Sequence, residues 1–477
     1  MKRIYIIIFI FIQAIVSYGQ NSEFIVNDSS QYGFNRPRIA LLNNDVPFVL
    51  WGKPGSPAKV WGAKLNGSSF TTPVQIVSDT MNPRVGTVDG PNLVAYNDSI
   101  YVVWGNQSPA NHHVFMNRST DAGNSFGYAI QTDTIGLGDN IEYPGLTISN
   151  NGTLGIYFIK SDPSWNNPRQ SLITSYDRGN SFSKDTTINL FAPGIPCECC
   201  QGNMEMQDST WVFYYRNNVG NIRNVYSLVS ENSGTTFSDD YEMDDVDWTT
   251  MSCPSSGPEG YLHGNKSFTA WMSKGSGSTR VLYGTVNLAL QTVNIAKYID
   301  STVAVNITQN YPSVDGQGDT IAVVWQDNRY LFTHVFAAIS IDGGSTFTSA
   351  ILLSDTSIIS SYSVPDVAYS NGIFHFVWKS SNKVFYRSAT LSNLLSIDNN
   401  EIKNVEFKIY PNPSTNLLTV ETKLNILQIN IVDITGKMIN SFVPTSNTFS
   451  INSLSSGIYF IRIIGEDNLS TKKFVKQ

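Results

Sequence analysis

Four cysteines are the most chemically distinctive residues of this chain. Cys197-Glu198-Cys199-Cys200 packs three thiols into four residues, and Cys253-Pro254 adds the fourth. Four cysteines allow three complete pairings. Each of them needs one bond inside the Cys197–Cys200 cluster, because only Cys253 lies outside it. A bond closing so short a loop is strained. Three chemistries follow. One disulfide could join Cys253 to the cluster and leave two thiols. A strained pair could serve as a redox centre. The thiolates could instead hold a soft metal, with Cu or Zn preferred by sulfur ligands.

A second set of candidates is cationic. Arg36, Arg38 and Arg84 precede or open apolar segments, and Arg216, Arg223, Arg280 and Arg329 follow aromatic ones. Glu142 and Asp327 are the acidic residues in comparable places. A guanidinium meets a carboxylate through two parallel hydrogen bonds, so such arginines suit an anionic ligand.

The segments that must position these residues repeat. A Pro or Gly opens an alternating strand, a turn follows, and a second strand ends in an aromatic. Those aromatics are Trp51, Trp104, Phe158, Tyr215, Trp271, Trp325 and Trp378, a period of about 54 residues. Repeats of that length built from short strands indicate propeller blades. Cys200 and Cys253 lie one period apart, so both should reach the same rim of neighbouring blades. A turn motif runs in phase: Ser119-Thr120-Asp121-Ala122-Gly123-Asn124-Ser125-Phe126, with copies centred on Asp177, Asn232 and Asp342. The acceptor side chain can collect backbone N–H groups across the turn, and Gly supplies positive φ.

Composition agrees with this picture. Of 477 residues only 14% are charged and 12% are aromatic, and the formal charge is −7. An aromatic-rich chain of low charge is neither disordered nor a coiled coil. The acidic balance argues against nucleic acid as a partner.

The ends read differently. Met1-Lys2-Arg3, an apolar run to Val16, and small residues at Ser17 and Gly19 form a secretory signal peptide over residues 1–19. The run is too short to span a bilayer, and no later segment is long and apolar enough, so no transmembrane segment is expected after cleavage. Residues 20–395 hold the repeats, 396–404 read as a linker, and 405–477 as a small β-sandwich. Within that last stretch Tyr410-Pro411-Asn412-Pro413, Asp433-Ile434-Thr435-Gly436-Lys437, Ser456-Gly457-Ile458-Tyr459 and the Lys-rich final strand come in order. Together they resemble the type A sorting domain of the type IX secretion system. The resemblance implies that secretion machinery as a partner and an exported protein, released or at the outer-membrane surface.

The Ser-x-Asp-x-Gly-x-Ser/Thr-Phe turns resemble the Asp boxes, or BNR repeats, of sialidase-like β-propellers. In that family they are structural, so Asp121, Asp177, Asn232 and Asp342 receive no chemistry. The expected fold is therefore all-β: a seven-bladed propeller, with six blades as the alternative, followed by the sandwich. Sialidases bind a substrate carboxylate with arginines and use a Tyr nucleophile. Their Phe/Tyr-Arg-Ile-Pro stands here as Asn35-Arg36-Pro37-Arg38-Ile39-Ala40. The resemblance makes Arg38 the candidate catalytic residue, and the other arginines with Glu142 and Asp327 ligand-binding candidates. Three functions stay open. The first is binding of glycan or protein on the axial face. The second is exo-α-sialidase-like hydrolysis of acidic glycans, and the third is a thiolate metal or redox site.

Overall fold

The structure is a computed structural model that describes residues 23–107, 112–134, 139–188, 190–303, 307–330, 332–355, 361–397, 407–423, 426, 428–433, 438–464 and 469–477. The signal-peptide reading and linker residues 398–404 lie outside the described residues. The other two linker residues belong to a short helix, Leu391–Ile397, which packs the buried Leu394 against the last repeat. An apolar anchor inside a polar-looking stretch explains that difference.

Before the helix, the described residues form seven sheets of four or five antiparallel strands. Their first strands are Asn35–Leu41, Asn92–Tyr96, Asn140–Ile148, Asn203–Gln207, Glu259–His263, Gln309–Gln317 and Tyr362–Ser370. Each touches the first strand of the next sheet, and Tyr362–Ser370 touches Asn35–Leu41, so the seven close into a ring. Phe24–Asn27, from the start of the chain, pairs with Lys383–Thr390 and completes the seventh sheet. Numbered from Asn35, the sheets are blades 1 to 7.

The seven period-marking aromatics all fall on second strands and are at most 1% exposed. They fill the layers between blades, where aromatic and β-branched side chains suit a pleated surface covered on both faces. The turn motif acts locally. Asp121 accepts the Ser125 backbone N–H at 3.0 Å and the Ser125 hydroxyl at 2.6 Å. Asp177, Asn232 and Asp342 accept the equivalent backbone N–H from Ser181, Thr236 and Thr346. The motif glycine is needed twice over. Gly123 sits at φ +75°, and a Cβ there would lie 2.4 Å from the ring of Phe48 in the preceding blade. Gly123→Ala should therefore destabilise the propeller by about 1–3 kcal/mol, the usual cost of overpacking. A denaturation midpoint equal to that of the parent chain would contradict this.

First strands of blades 1, 3, 6 and 7 begin with a bulge. The residue before the opening Pro adopts positive φ: Arg36 (+46°), Tyr143 (+55°), Tyr311 (+51°) and Val364 (+53°). Strand register slips at the same places. A pre-proline residue ordinarily stays extended, so these are strained conformations held by the ring. Bulges of this kind re-aim side chains. Arg36, Tyr311 and Val364 line one mouth of the ring.

The C-terminal residues form two sheets. Lys408–Tyr410, Leu417–Glu421 and Thr448–Ser450 make one, and Gln428–Asp433, Met438–Phe442, Gly457–Ile464 and Leu469–Lys476 the other. Buried Leu418, Val420, Ile429, Ile461 and Phe474 fill the core between them.

Candidate functional site

The ring encloses an axial cavity of about 540 Å³ lined by residues of all seven first strands. The residue after each opening Pro, or after Gly202 in blade 4, holds one repeat position, Arg38, Asn92, Gly145, Asn203, Glu259, Ser313 and Asp366, and of these Arg38, Asn92, Asn203, Glu259 and Asp366 line the cavity. At Gly145 the missing side chain leaves room for the Tyr157 ring, which a Cβ would meet at 2.0 Å. Two residues further along lie Glu205 and Asp315.

Several of these polar groups tie the ring together. An innermost strand exposes unpaired backbone groups that must find partners. Asp366 accepts the Ile39 backbone N–H at 2.9 Å and the Ser313 hydroxyl at 2.7 Å. Asp315 accepts the Tyr369 N–H at 2.7 Å, and Asn203 accepts the Gly260 N–H at 3.0 Å. Arg36 is buried and donates to the Gly90 carbonyl at 2.6 Å, to Asn92 at 3.4 Å and to Gln201. Burial and the neighbouring Arg38 lower its pKa to about 9.

Two charged groups are less committed. Arg38 donates only to the adjacent Pro37 carbonyl, at 3.1 Å, and makes no salt bridge among the described residues, although Glu259 feels its charge. Glu259 accepts one side-chain bond, from Asn203 at 3.1 Å. Burial raises its pKa to about 7, against the pull of Arg38. Burial likewise raises Asp315 to about 7, and it pushes Glu205 well above the carboxylate range, with Asp315 and Glu259 adding repulsion. The axis therefore carries more acid than the arginine count of the sequence suggests.

The other sequence candidates are dispersed. Arg84 pairs with Asp89 at 2.8 Å and Glu142 at 3.5 Å, and burial raises Glu142 to about 7. Arg216 is buried, donates to the carbonyls of Arg223 and Met272 and lies over Trp248. Arg280 donates to the Val303 carbonyl at 2.5 Å. Arg329 bridges Asp300 and the fully buried Asp327, and stacks on Phe336. These arginines are engaged by the protein itself. Arg36 and Arg38 are the two that the structure brings to the axis.

Glu205, Glu259, Asp315 and Asp366 were not singled out from the sequence. Their signal was present: aligning the seven repeats on the opening Pro puts Glu259 and Asp366 in register with Arg38.

The thiols meet beside this mouth. Ile195–Pro196 pairs with Asn217 and Asn218, which delivers Cys197 through Cys200 to the start of blade 4. Gly257, in the loop that opens blade 5, packs so closely on the backbone of Gln201 that a Cβ would overlap it. That contact brings Cys253 to the cluster, its Sγ 3.3 Å from the Cys199 carbonyl. No disulfide joins any of the four. Hydrogen bonds from neighbouring thiols pull Cys197 and Cys253 down and push Cys199 up, and burial together with those bonds pushes Cys200 up.

Residues 408–477 match the family described as the secretion system C-terminal sorting domain. That tail marks the chain for type IX export, to the cell surface or beyond it. Among the described residues no helix is long and apolar enough to cross a membrane. No curated protein matches the chain by sequence. Solved structures match the propeller. A polysaccharide lyase, a PL25 ulvan lyase bound to -[GlcA(1-4)Rha3S]-, is 11% identical with a TM-score of 0.52, over 78% of this chain and 98% of its own. The Hadza microbial sialidase Hz136 is 13% identical with a TM-score of 0.45, over 76% of this chain and 66% of its own. The α-L-arabinofuranosidase Arb93A of Fusarium graminearum is 10% identical with a TM-score of 0.45, over 79% and 99%. This chain thus spans about two thirds of the sialidase's length. At these identities the lyase likeness establishes a shared fold and nothing about chemistry.

Proposed function

We propose that the exported propeller binds an acidic saccharide in its axial cavity, with Arg38 as the anchor for the sugar's anionic group. The observation that carries this is Arg38 itself: a half-buried guanidinium at the cavity wall that makes no salt bridge among the described residues. Such a group gains a two-point bond when a carboxylate or sulfate arrives. Asn92, Asn203 and Gln201 supply donors and acceptors for hydroxyl groups around it. Polar side chains converging in a concave site fit a ligand rich in hydroxyls.

Isothermal titration calorimetry of the full chain would use a glucuronate-terminated oligosaccharide and its neutral glucose-terminated counterpart. The acidic sugar should bind and the neutral one should bind more weakly. Arg38→Ala should weaken the acidic ligand by about tenfold to a hundredfold, the range of a charge-assisted bond, and leave the melting temperature unchanged. Equal binding of both sugars would sink the proposal.

A second reading adds catalysis. Glu259 is held at about 7 beside Arg38, where it can take or give a proton near neutral pH. Release of new reducing ends or unsaturated ends from the same oligosaccharide, abolished by Glu259→Gln, would establish it. Binding without any product release would leave a lectin-like propeller.

A further inference from the structure

The thiol cluster stands apart from the axial anchor and carries its own inference. Cys197 Sγ lies 3.0 Å from Cys200 Sγ and 3.7 Å from Cys199 Sγ. The three sulfurs all lie within 4.8 Å of one another. Cys253, from the neighbouring blade's loop, lies beside this group of three, its Sγ 3.3 Å from the Cys199 carbonyl. We propose that Cys197, Cys199, Cys200 and Cys253 together bind one thiophilic d¹⁰ cation, Cu(I) or Zn(II), in the wall of the axial mouth.

Geometry favours an ion over two disulfides. The sulfurs form one convergent group, since Cys197 touches two thiols at once. A tetrahedron with Zn–S bonds of about 2.3 Å has edges of about 3.8 Å, close to the Cys197–Cys199 separation of 3.7 Å, and the Cys197–Cys200 pair at 3.0 Å would have to open to take an ion. Adjacent Cys199 and Cys200 are poorly placed to bond to each other but can each turn a sulfur toward one centre.

The surroundings are those of thiolates. Arg223 Nη1 donates to Cys197 Sγ at 3.2 Å, and the Ser255 backbone N–H donates to Cys253 Sγ at 3.4 Å. Glu198 fixes that guanidinium through bonds of 2.8 and 3.1 Å. Outer partners of this kind orient metal ligands and offset their charge, whereas a disulfide sulfur gains little from them. The Glu198 carboxylate is thereby engaged with Arg223, which leaves a sulfur-only donor set. Such a set selects soft ions over Ca²⁺ or Mg²⁺. Cys197 and Cys200 are buried and Cys253 is exposed, so an ion has a route in from the Cys253 side.

Binding would also brace the mouth. Cys200 precedes Gln201, which bonds both Arg36 and the Pro144 carbonyl. Locking the two loops together would fix that side of the axial layer.

The test uses the full exported chain, purified without air or chelator. Metal content is measured, and thiols are alkylated after acid release of metal, with and without prior reduction. The expected result is one equivalent of Zn or Cu per chain and four thiols that alkylate without reduction. Competition between Zn(II) and acetonitrile-complexed Cu(I) identifies which ion is retained. Thiols that alkylate only after reduction would overturn the proposal, whatever the reduced protein then binds. Free thiols that take up neither ion would also overturn it. Cobalt(II) should give thiolate-to-metal charge-transfer and tetrahedral d–d bands. Cys200→Ser is buried and could unfold the loop. Exposed Cys253→Ser and the outer substitution Arg223→Gln test the same site with less risk. Arg223→Gln should weaken affinity by about 10- to 100-fold. Unchanged cobalt spectra and affinity in both variants would count against the site.

Discussion

Trp271→Ala should be among the most damaging single substitutions in the propeller, and more damaging than its size alone dictates. Trp271 is fully buried against Val225, Met243, Leu282 and Val286. Removing a buried ring of this size costs about 3–5 kcal/mol. Its indole N–H also donates to Asp244 at 2.8 Å, and Asp244 accepts the Val225 backbone N–H at 2.7 Å. Burial already raises that carboxyl to about 6. Losing the indole leaves a buried carboxylate short of a donor, which adds roughly 1–3 kcal/mol.

A comparison within the protein separates the two contributions. Trp378 occupies the same place in blade 7, equally buried, but its indole nitrogen has no hydrogen-bond partner among the described residues. Trp271→Phe should therefore cost more than Trp378→Phe, although both remove the same atoms. Urea unfolding followed by circular dichroism would read both. Equal losses would show that the Asp244 bond contributes nothing, and a Trp271→Ala loss below about 1 kcal/mol would contradict the packing argument as well.

The same pair of tryptophans shows what the sequence discloses and what it hides. Period and aromatic type place Trp271 and Trp378 on equivalent second strands, because alternation and spacing are local properties. Whether the indole finds Asp244 depends on a residue 27 positions away, just past the last strand of the preceding blade. The axial site divides in the same way. Arg38 was legible because it sits at a motif position. Glu259 was in the same register and went unremarked, because a lone Glu after Pro has no motif. Its raised pKa comes from being enclosed by seven strands, which no local window contains. The rim arginines illustrate the converse. Arg216, Arg280 and Arg329 look like free cations in sequence, yet the fold supplies each with carbonyls, carboxylates or rings. The cysteines were the most predictable group, since a one-period spacing in a ring of repeats is already a statement about proximity.

Enclosure of acids also sets the pH dependence of stability. Glu259 moves from the ordinary 4.5 to about 7 and Asp315 from 3.8 to about 7. Burial likewise raises Glu23 and Glu142 to about 7 and Asp244 to about 6. Between the unfolded and folded values the native state holds more protons than the unfolded chain. Stability from these groups is thus full below about pH 4 and declines as pH rises toward 7. Two histidines act the other way. Burial lowers His334 and His375 to about 4, so between there and 6.5 their contribution grows with pH. Glu205, raised further still, joins these five, and the six raised carboxyls outweigh the two lowered imidazoles and the two lowered thiols of Cys197 and Cys253, so the net slope is downward. On the acid side the turn carboxylates take over. Hydrogen bonds hold Asp121, Asp177 and Asp342 at about 2, and their contribution is lost as pH falls from 3.8 toward that value. Stability should therefore peak near pH 4–5 and fall toward neutrality. A tenfold change in a group's proton affinity is worth about 1.36 kcal/mol, and solvent reaching the partly exposed groups screens part of it. The summed loss is then on the order of a few kcal/mol. Glu259→Gln, which mimics the protonated acid, should raise the melting temperature at pH 7 and leave it unchanged near pH 4. A melting temperature that rises steadily from pH 4.5 to 7 in the parent chain would refute the assignment. So would a Glu259→Gln variant with the parent's full slope, since the enclosed carboxyl at the axis would then not be the group that titrates.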